Sequence, residues 1–261
     1  MILDRIVADK KAYIARARDE RPIDSLQIDA RATRRSLIES VLRVAKRRKP
    51  AIISETKRRS PSGGEMKCEY TLTELAAMYE RAGAAGISVL TDTKYFGGTP
   101  ADMIEVRKHT TVPVLCKEFI VDEYQIYEAA AHQADAVLLI AAILDDERIA
   151  RFMRLAHDLG IEVLLESHTK SELERSIASG AKLLGINNRN LDTLATDLDT
   201  SFELLGLVPE DRVVISESGI KTSADIRQLI SAGAQGFLIG ESLLKSGNPE
   251  QKLGDLIKAA R

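Results

Sequence analysis

The chain has 261 residues, 44% hydrophobic and 29% charged, with a formal net charge of −2. That length is generous for an ordinary domain and usual for one α/β barrel, and the near balance of charge argues against a dedicated nucleic-acid binder. No apolar run reaches membrane-spanning length, and the opening "MILDRIVADKK" lacks the continuous apolar stretch of a signal peptide.

Two amphipathic patterns come first, "LDRIVADKKAYIARARDE" and "ATRRSLIESVLRVAK", and read as helices preceding the main fold. The basic cluster Arg43, Lys46, Arg47, Arg48 and Lys49 reads as a solvated helix end. From Ala51 one unit keeps returning: a short apolar run, a loop, then a helical pattern. The runs are "AIISE", "GISVLT", "VPVLCKEF", "DAVLLI", "EVLLES", "KLLGIN", "RVVISES" and "QGFLIGE". Between them lie stretches such as "LTELAAMYERAGA", "DDERIARFMRLAHDLG" and "TSADIRQLISAGA", most ending in a Gly or Ala pair before the next strand. Strands this apolar, alternating with helices, imply a parallel sheet covered by helices. Eight units fit a closed (β/α)₈ barrel better than an open doubly wound sheet. The expected organisation is a helical extension over 1–47 and a barrel over 48–261, together one domain.

Chemistry in such barrels sits at the C-terminal strand ends. Strand one delivers Glu55 and Lys57, which point the same way because side chains alternate with period two. Strand three delivers Lys117, strand five Glu166, strand six Asn187 with Arg189 two further on, and strand seven Glu217 with Ser218. Any one of these has a plain reading as a strand cap or half of a structural ion pair. Crowded together, such charges are costly unless paired or used. The glycines add a second signal. Gly219 after strand seven and Gly240 after strand eight fall in the two loops where barrels often hold phosphate on backbone N–H groups. Ser60, on the loop after strand one, is placed to add a hydroxyl.

Phe96 on the second loop and Phe119 beyond Lys117 suggest a sandwich for a planar ring, with ordinary loop packing as the competing reading. The four histidines (His109, His132, His157 and His168) form no ligand pattern; His168, just beyond strand five, is placed to line the site, with a surface position as the preferred reading. Cys68 and Cys116 have no metal-ligand spacing and read as small buried residues in a reducing cytoplasm. Neither a metal cluster nor a dinucleotide fingerprint is present in the sequence.

Taken in order, "ISETKRRSPSGG", "SVLTDTKYFGGTPADMIEVR", "PVLCKEFIVDEYQIYEA", "ADAVLLI", "LLESHTKSELERSI", "LLGINNRNLDT", "VISESGIKTSADI" and "FLIGESLL" resemble the indole-3-glycerol phosphate synthase family. The resemblance spans roughly the whole chain, helical extension included. It implies a (β/α)₈ barrel acting on 1-(2-carboxyphenylamino)-1-deoxyribulose 5-phosphate. The products are indole-3-glycerol phosphate, carbon dioxide and water, a step of tryptophan biosynthesis. The resemblance further implies Lys117 as the general acid of ring closure and Glu166 in proton transfer during dehydration. Lys57 would contact the substrate carboxylate and donate a proton, with Glu55 beside it. Asn187, Arg189, Glu217 and Ser218 would surround the substrate, and Ser60, Gly219, Gly240 and Glu241 would hold the phosphate, the last by its backbone.

Residue chemistry agrees: losing a carboxylate and a hydroxyl needs acids and bases of separated pKa. Clustered, half-desolvated lysines are expected to shift downward. No cofactor is called for. Three positions depart from the family pattern: Glu118 stands where aspartate is usual, Gly63 where a basic residue is common, and Gln133 where glycine is usual. By parity residue 118 is expected to point away from the mouth. The expected protein is a monofunctional cytoplasmic enzyme, monomeric in preference to homodimeric, binding a phosphorylated small molecule and neither nucleic acid nor membrane. A sugar-phosphate isomerase on the same barrel has no need of Lys117, Glu166 and Lys57 together. A barrel that binds without turnover would be expected to show substitutions at these positions.

Overall fold

A computed structural model describes residues 2–29, 34–61, 64–65, 69–191 and 193–259 of the chain. The readings of Gly63 and Cys68 lie outside these residues. Each apolar run becomes one strand: β1 (Ala51–Thr56), β2 (Gly86–Leu90), β3 (Val114–Lys117), β4 (Ala136–Ile140), β5 (Glu162–Ser167), β6 (Leu183–Asn187), β7 (Val213–Glu217) and β8 (Gly236–Ile239). All neighbours pair in parallel, and β1 pairs with both β2 and β8, so the sheet closes. The open-sheet alternative is thereby excluded. "VPVLCKEF" contributes a shorter strand than its apolar length suggests: Pro113 has no N–H to donate, and the chain leaves the sheet after Lys117.

Alternation sorts the strand residues into two cores. Ile52, Val89, Cys116, Leu139 and Val214 face outward and pack under the helices. Ile53, Leu115, Leu138, Leu164 and Ile215 face inward and fill the barrel. The inward set continues upward as Glu55, Lys117, Glu166, Asn187 and Glu217, so one parity carries both the barrel core and the chemistry. Outer helices begin where their capping residues fall. Thr71, Asp122, Asp145, Thr169 and Thr222 each accept a backbone N–H two or three residues on, and two of them form full capping boxes.

The two leading helices are α1 (Ile2–Glu20) and α2 (Leu37–Ala45). The second begins at its cap Ser36, later than the pattern beginning at residue 32 suggested, because Ser36 accepts from Glu39 N. They serve opposite ends of the barrel rather than covering the mouth together. α2 inserts the fully buried Leu37 and Val41 among inward residues at the strand starts, including Ala51 and Val213, and so plugs the N-terminal end. The carboxylate of Glu162, first in β5, accepts from Leu37 N (2.8 Å), Ile38 N (3.0 Å) and Ser36 Oγ (2.6 Å), which fixes the positive end of α2 to the barrel floor.

α1 lies at the other end. Lys10 is buried beneath it, its Nζ 2.6 Å from Asp92 Oδ2 beyond β2 and 2.8 Å from Glu118 Oε2 beyond β3. Burial works to lower the Lys10 pKa, but Glu118 and Asp92 outweigh it and hold the ammonium charged. Glu118 therefore ties its carboxylate to the extension, and the longer glutamate supplies the reach.

Replacing Leu37 by Ala leaves a cavity in a plug with no solvent exposure. The expected loss is about 2–5 kcal/mol, read as a lower urea midpoint with an unchanged slope.

Candidate active site

Above the inward apolar layers the barrel opens into a cavity of about 730 Å³. Glu55, Lys57, Lys117, Glu166 and Glu217 line its floor, with Phe96 and Phe119 on one side. Asn187, Arg189, Ser218, Gly219, Gly240 and Glu241 complete the opposite wall. Ser60 stands apart from the rest: it lines an adjoining cavity of about 80 Å³ with Ile2, Leu3 and Ile6 of α1. Lys57, Phe96, Phe119 and Arg189 border both spaces.

One cation organises the floor. Lys117 Nζ donates to Glu166 Oε2 at 2.7 Å and to Glu217 Oε2 at 2.8 Å, and both carboxylates are 1% exposed. β6 runs between their two strands, and at that level it carries Gly185. A Cβ there would lie 2.3 Å from Glu217 Oε1, so a side chain at this position would displace the second carboxylate from where it stands. A similar vacancy exists at Gly240, where a Cβ would meet Glu55 Oε1 at 2.5 Å. Glu55 in turn accepts from Lys57 Nζ at 2.5 Å. Gly240 therefore serves the packing of the acid on β1 as well as opening a loop.

These contacts reverse one expectation from the sequence. Burial does push the Lys117 pKa down, but Glu166, Glu217 and Glu55 together outweigh it and hold the group above its ordinary value. The carboxylates themselves diverge. Burial favours the neutral form of Glu166, yet Lys117 and His168 overcome this and keep it well below the usual carboxylate range. Burial, with Glu166 facing it, pushes Glu217 up to about 7 despite Lys117.

His168, expected at the surface, is in fact packed into the wall, with its side chain 10% exposed. Its Nε2 stands 3.2 Å from Glu166 Oε1, an ion-pair contact off the line of a straight hydrogen bond. Its Nδ1 lies 3.2 Å from Glu172 Oε2, in the first turn of α8 (Lys170–Ala178; α3 to α7 being the five helices from Leu72–Ala82 through Thr93–Phe96, Ala101–Lys108 and Glu123–Ala131 to Asp146–Asp158). The backbone N–H of His168 donates to the same oxygen at 2.7 Å. Burial alone would lower the imidazole pKa, but the two carboxylates raise it to about 9. The signal was present in "ESHTKSE", where Thr169 announces a helix start and Glu172 falls one turn after His168.

The wall opposite the phenylalanines is built from strain and paired charge. Ser218 adopts φ +67° and Gly219 φ +80°, a bend held by Asn188, whose Nδ2 donates to Glu217 O (3.0 Å) and Ser218 O (3.1 Å). Asn188 is 2% exposed and was not singled out in the sequence, because by parity it faces away from the cavity. Arg189 donates to Leu194 O at 2.9 Å and pairs with Glu241 at 3.2 Å, and Glu241 also accepts from Lys245 at 2.7 Å. Phe96 ends the short helix Thr93–Phe96 rather than lying on a loop, since Asp92 caps that helix and Gly97 closes it. Its ring centroid is 6.2 Å from that of Phe119, with 30° between the planes.

The raised His168 pKa carries a stability signature. Its stabilisation is fully present below about pH 6.5 and is lost as pH rises through about 9. Urea unfolding of His168→Gln near pH 6 should show a deficit on the order of 3 kcal/mol against the wild type, shrinking at about pH 10.

Comparison with known proteins accords with this geometry. The family profile "Indole-3-glycerol phosphate synthase" matches residues 3–256. The indole-3-glycerol phosphate synthase of Bacteroides thetaiotaomicron is 43% identical over 258 residues, covering 99% of this chain and 98% of its own. That of Legionella pneumophila strain Paris is 41% identical over 256 residues, 98% of each chain. That of Caldanaerobacter subterraneus subsp. tengcongensis is 41% identical over 261 residues, covering 100% and 99%. Among solved structures, thiamine phosphate pyrophosphorylase from Pyrococcus furiosus superposes with a TM-score of 0.61 at 15% identity, over 81% of this chain and 95% of that one, a likeness of fold alone. On matches of this length and identity, the chain belongs to the indole-3-glycerol phosphate synthase family.

Proposed function

We propose that the cavity converts 1-(2-carboxyphenylamino)-1-deoxyribulose 5-phosphate to indole-3-glycerol phosphate, carbon dioxide and water, as a step of tryptophan biosynthesis. The observation that carries this reading is the Lys117 ammonium between two buried carboxylates, on the floor of a cavity with two phenylalanines on one side and cations on the other. The aryl ring packs by Phe96 and Phe119, and the phosphate sits at the bend of Ser218 and Gly219 and at Gly240 and Glu241, with Ser60 closing from the adjoining side.

Ring closure joins the aryl carbon bearing the carboxylate to the ribulose carbonyl carbon, and Lys117 gives its proton to the carbonyl oxygen. A developing tertiary alkoxide is a far stronger base than an amine, so the ammonium need not be unusually acidic. It must be charged and aimed, which the flanking carboxylates ensure. Carbon dioxide then leaves and the ring regains aromaticity. In the last step Glu166 takes a proton from the neighbouring CH₂ while hydroxide leaves the new ring carbon, protonated by Lys57. Glu55 orients Lys57, and Asn187, Arg189 and Glu217 hold the substrate across the cavity. No step requires a cofactor.

The same reading makes the protein a cytoplasmic monomer. Cys116 is a free, buried thiol, and the large apolar side chains exposed on the described surface (Tyr70, Phe202, Leu207 and Ile230) are few.

Turnover followed by indole fluorescence tests the assignment. Lys117→Ala is expected to lower kcat by about two to four orders of magnitude with a folded barrel retained. A wild type that binds phosphate ligands and yields no indole product would overturn the reading.

A further inference from the structure

The floor of the site poses a problem in proton placement. Glu166 and Glu217 share the ammonium of Lys117, are equally buried, and lie on strands of the same inward parity. Two carboxylates against one cation leave an excess negative charge in a place where water cannot screen it. Such a pair ordinarily holds one proton between its members, and nothing about Lys117 selects which member carries it.

The selection comes from the far side of Glu166. Its second oxygen faces His168 Nε2 at 3.2 Å, so both Glu166 oxygens meet a cation. Glu217 has no equivalent: its Oε1 is buried without a hydrogen-bond partner and lies against the backbone of Gly185. His168 is itself held from behind, since Glu172 Oε2 lies 3.2 Å from its Nδ1 and accepts its backbone N–H at 2.7 Å. The charged groups around this chain are Glu172 from α8, Glu166 from β5, Lys117 from β3 and Glu217 from β7, with Glu55 of β1 acting on Lys117 from beyond.

We infer that His168 is a positioning residue: clamped by Glu172, it holds Glu166 as the proton acceptor of the site and leaves Glu217 to carry the spare proton. It touches no substrate atom in this scheme. It works on the proton balance of a carboxylate pair 49 residues and more from Lys117 in sequence. The imidazolium also cancels the charge of Glu172, so the chain Glu172–His168–Glu166–Lys117–Glu217 has no net charge when Glu217 is neutral. The raised imidazole pKa and the separation of the two carboxylates agree with this order.

The inference rests on the proposed role of Glu166 in dehydration. Its test is the pH dependence of kcat and KM, by indole fluorescence, for the wild type, His168→Gln and Glu172→Gln, alongside ¹⁵N NMR titration of the wild-type histidines. With His168→Gln the acid limb of kcat is expected to move up by about one to two pH units, with KM nearly unchanged, because Glu166 then competes for the proton. Glu172→Gln is expected to lower the pH at which the His168 imidazole titrates, read by ¹⁵N NMR of the variant, because the imidazole loses its outer anion. Should His168→Gln fail to fold, Glu172→Gln and the NMR titration decide. An imidazole still charged at about pH 8 supports the inference, and one neutral at about pH 7 overturns it. A His168→Gln profile that superimposes on the wild type, or drops equally at every pH, also overturns it. A wild type without indole product removes the proposed function instead, and the titration of His168 is still read.

Discussion

Holding two glutamates against one lysine inside a barrel requires room, and that room comes from a residue with no side chain. Gly185 sits on β6 between the strands that carry Glu166 and Glu217, paired in register with Glu166. Its missing Cβ is the space into which the Glu217 carboxylate folds. Everything chemical on the floor follows from that approach. The shared ammonium is locked in its charged form, one carboxylate is driven down in pKa and the other up, and the imbalance makes a second cation worthwhile beyond Glu166. The apolar layers below, with α2 as their plug, exclude water and so give these short contacts their strength.

Charge in the site is pre-arranged rather than free. Lys57 is turned to Glu55, Arg189 to Glu241, and Lys245 to Glu241 as well. Under the proposed function, a substrate bearing a carboxylate and a phosphate would meet cations whose present partners are protein carboxylates. Binding is then an exchange of one anion for another, with little net desolvation of the cations. That exchange favours ligands carrying two negative groups at the right separation, which is a form of selectivity built from competition.

Much of this was readable in the chain. Eight apolar runs alternating with helical patterns imply the closed sheet, and the C-terminal strand ends bring Glu55, Lys117, Glu166, Asn187 and Glu217 to one mouth. What alternation hides is whatever acts from the opposite parity. Asn188 and Glu118 have the outward parity, yet one holds the bend at Ser218 and the other pins α1. His168 has the parity of the inward residues, but it lies beyond the end of β5 with the composition of an ordinary helix lead-in, so its burial depends on Glu172 arriving from the next helix. The direction of the Lys117 shift was also beyond reach. It depends on distances to three carboxylates, and residue lists contain no distances. The leading helices read correctly as helices, but their attachment to opposite ends depends on long-range contacts, such as Glu162 with α2 and Lys10 with α1, that periodicity does not show.

α1 is fastened unlike the rest of the molecule. Beyond Lys10, a small apolar cluster around Ile14 and Tyr124, and hydrogen bonds such as Tyr13 with Glu128, its ties are ion pairs with an exposed cation: Asp9 with Lys94, Arg18 with Asp122, and Arg21 with Glu128. Exposed pairs of this kind weaken as ions accumulate, whereas the barrel interior is indifferent to them. The roof over the small cavity and the walls beneath it therefore obey different laws. Ionic strength sets how firmly the roof is seated, and temperature, through apolar hydration, sets how firmly the walls stand. A change of medium can loosen access to the substrate space without disturbing the groups that react in it.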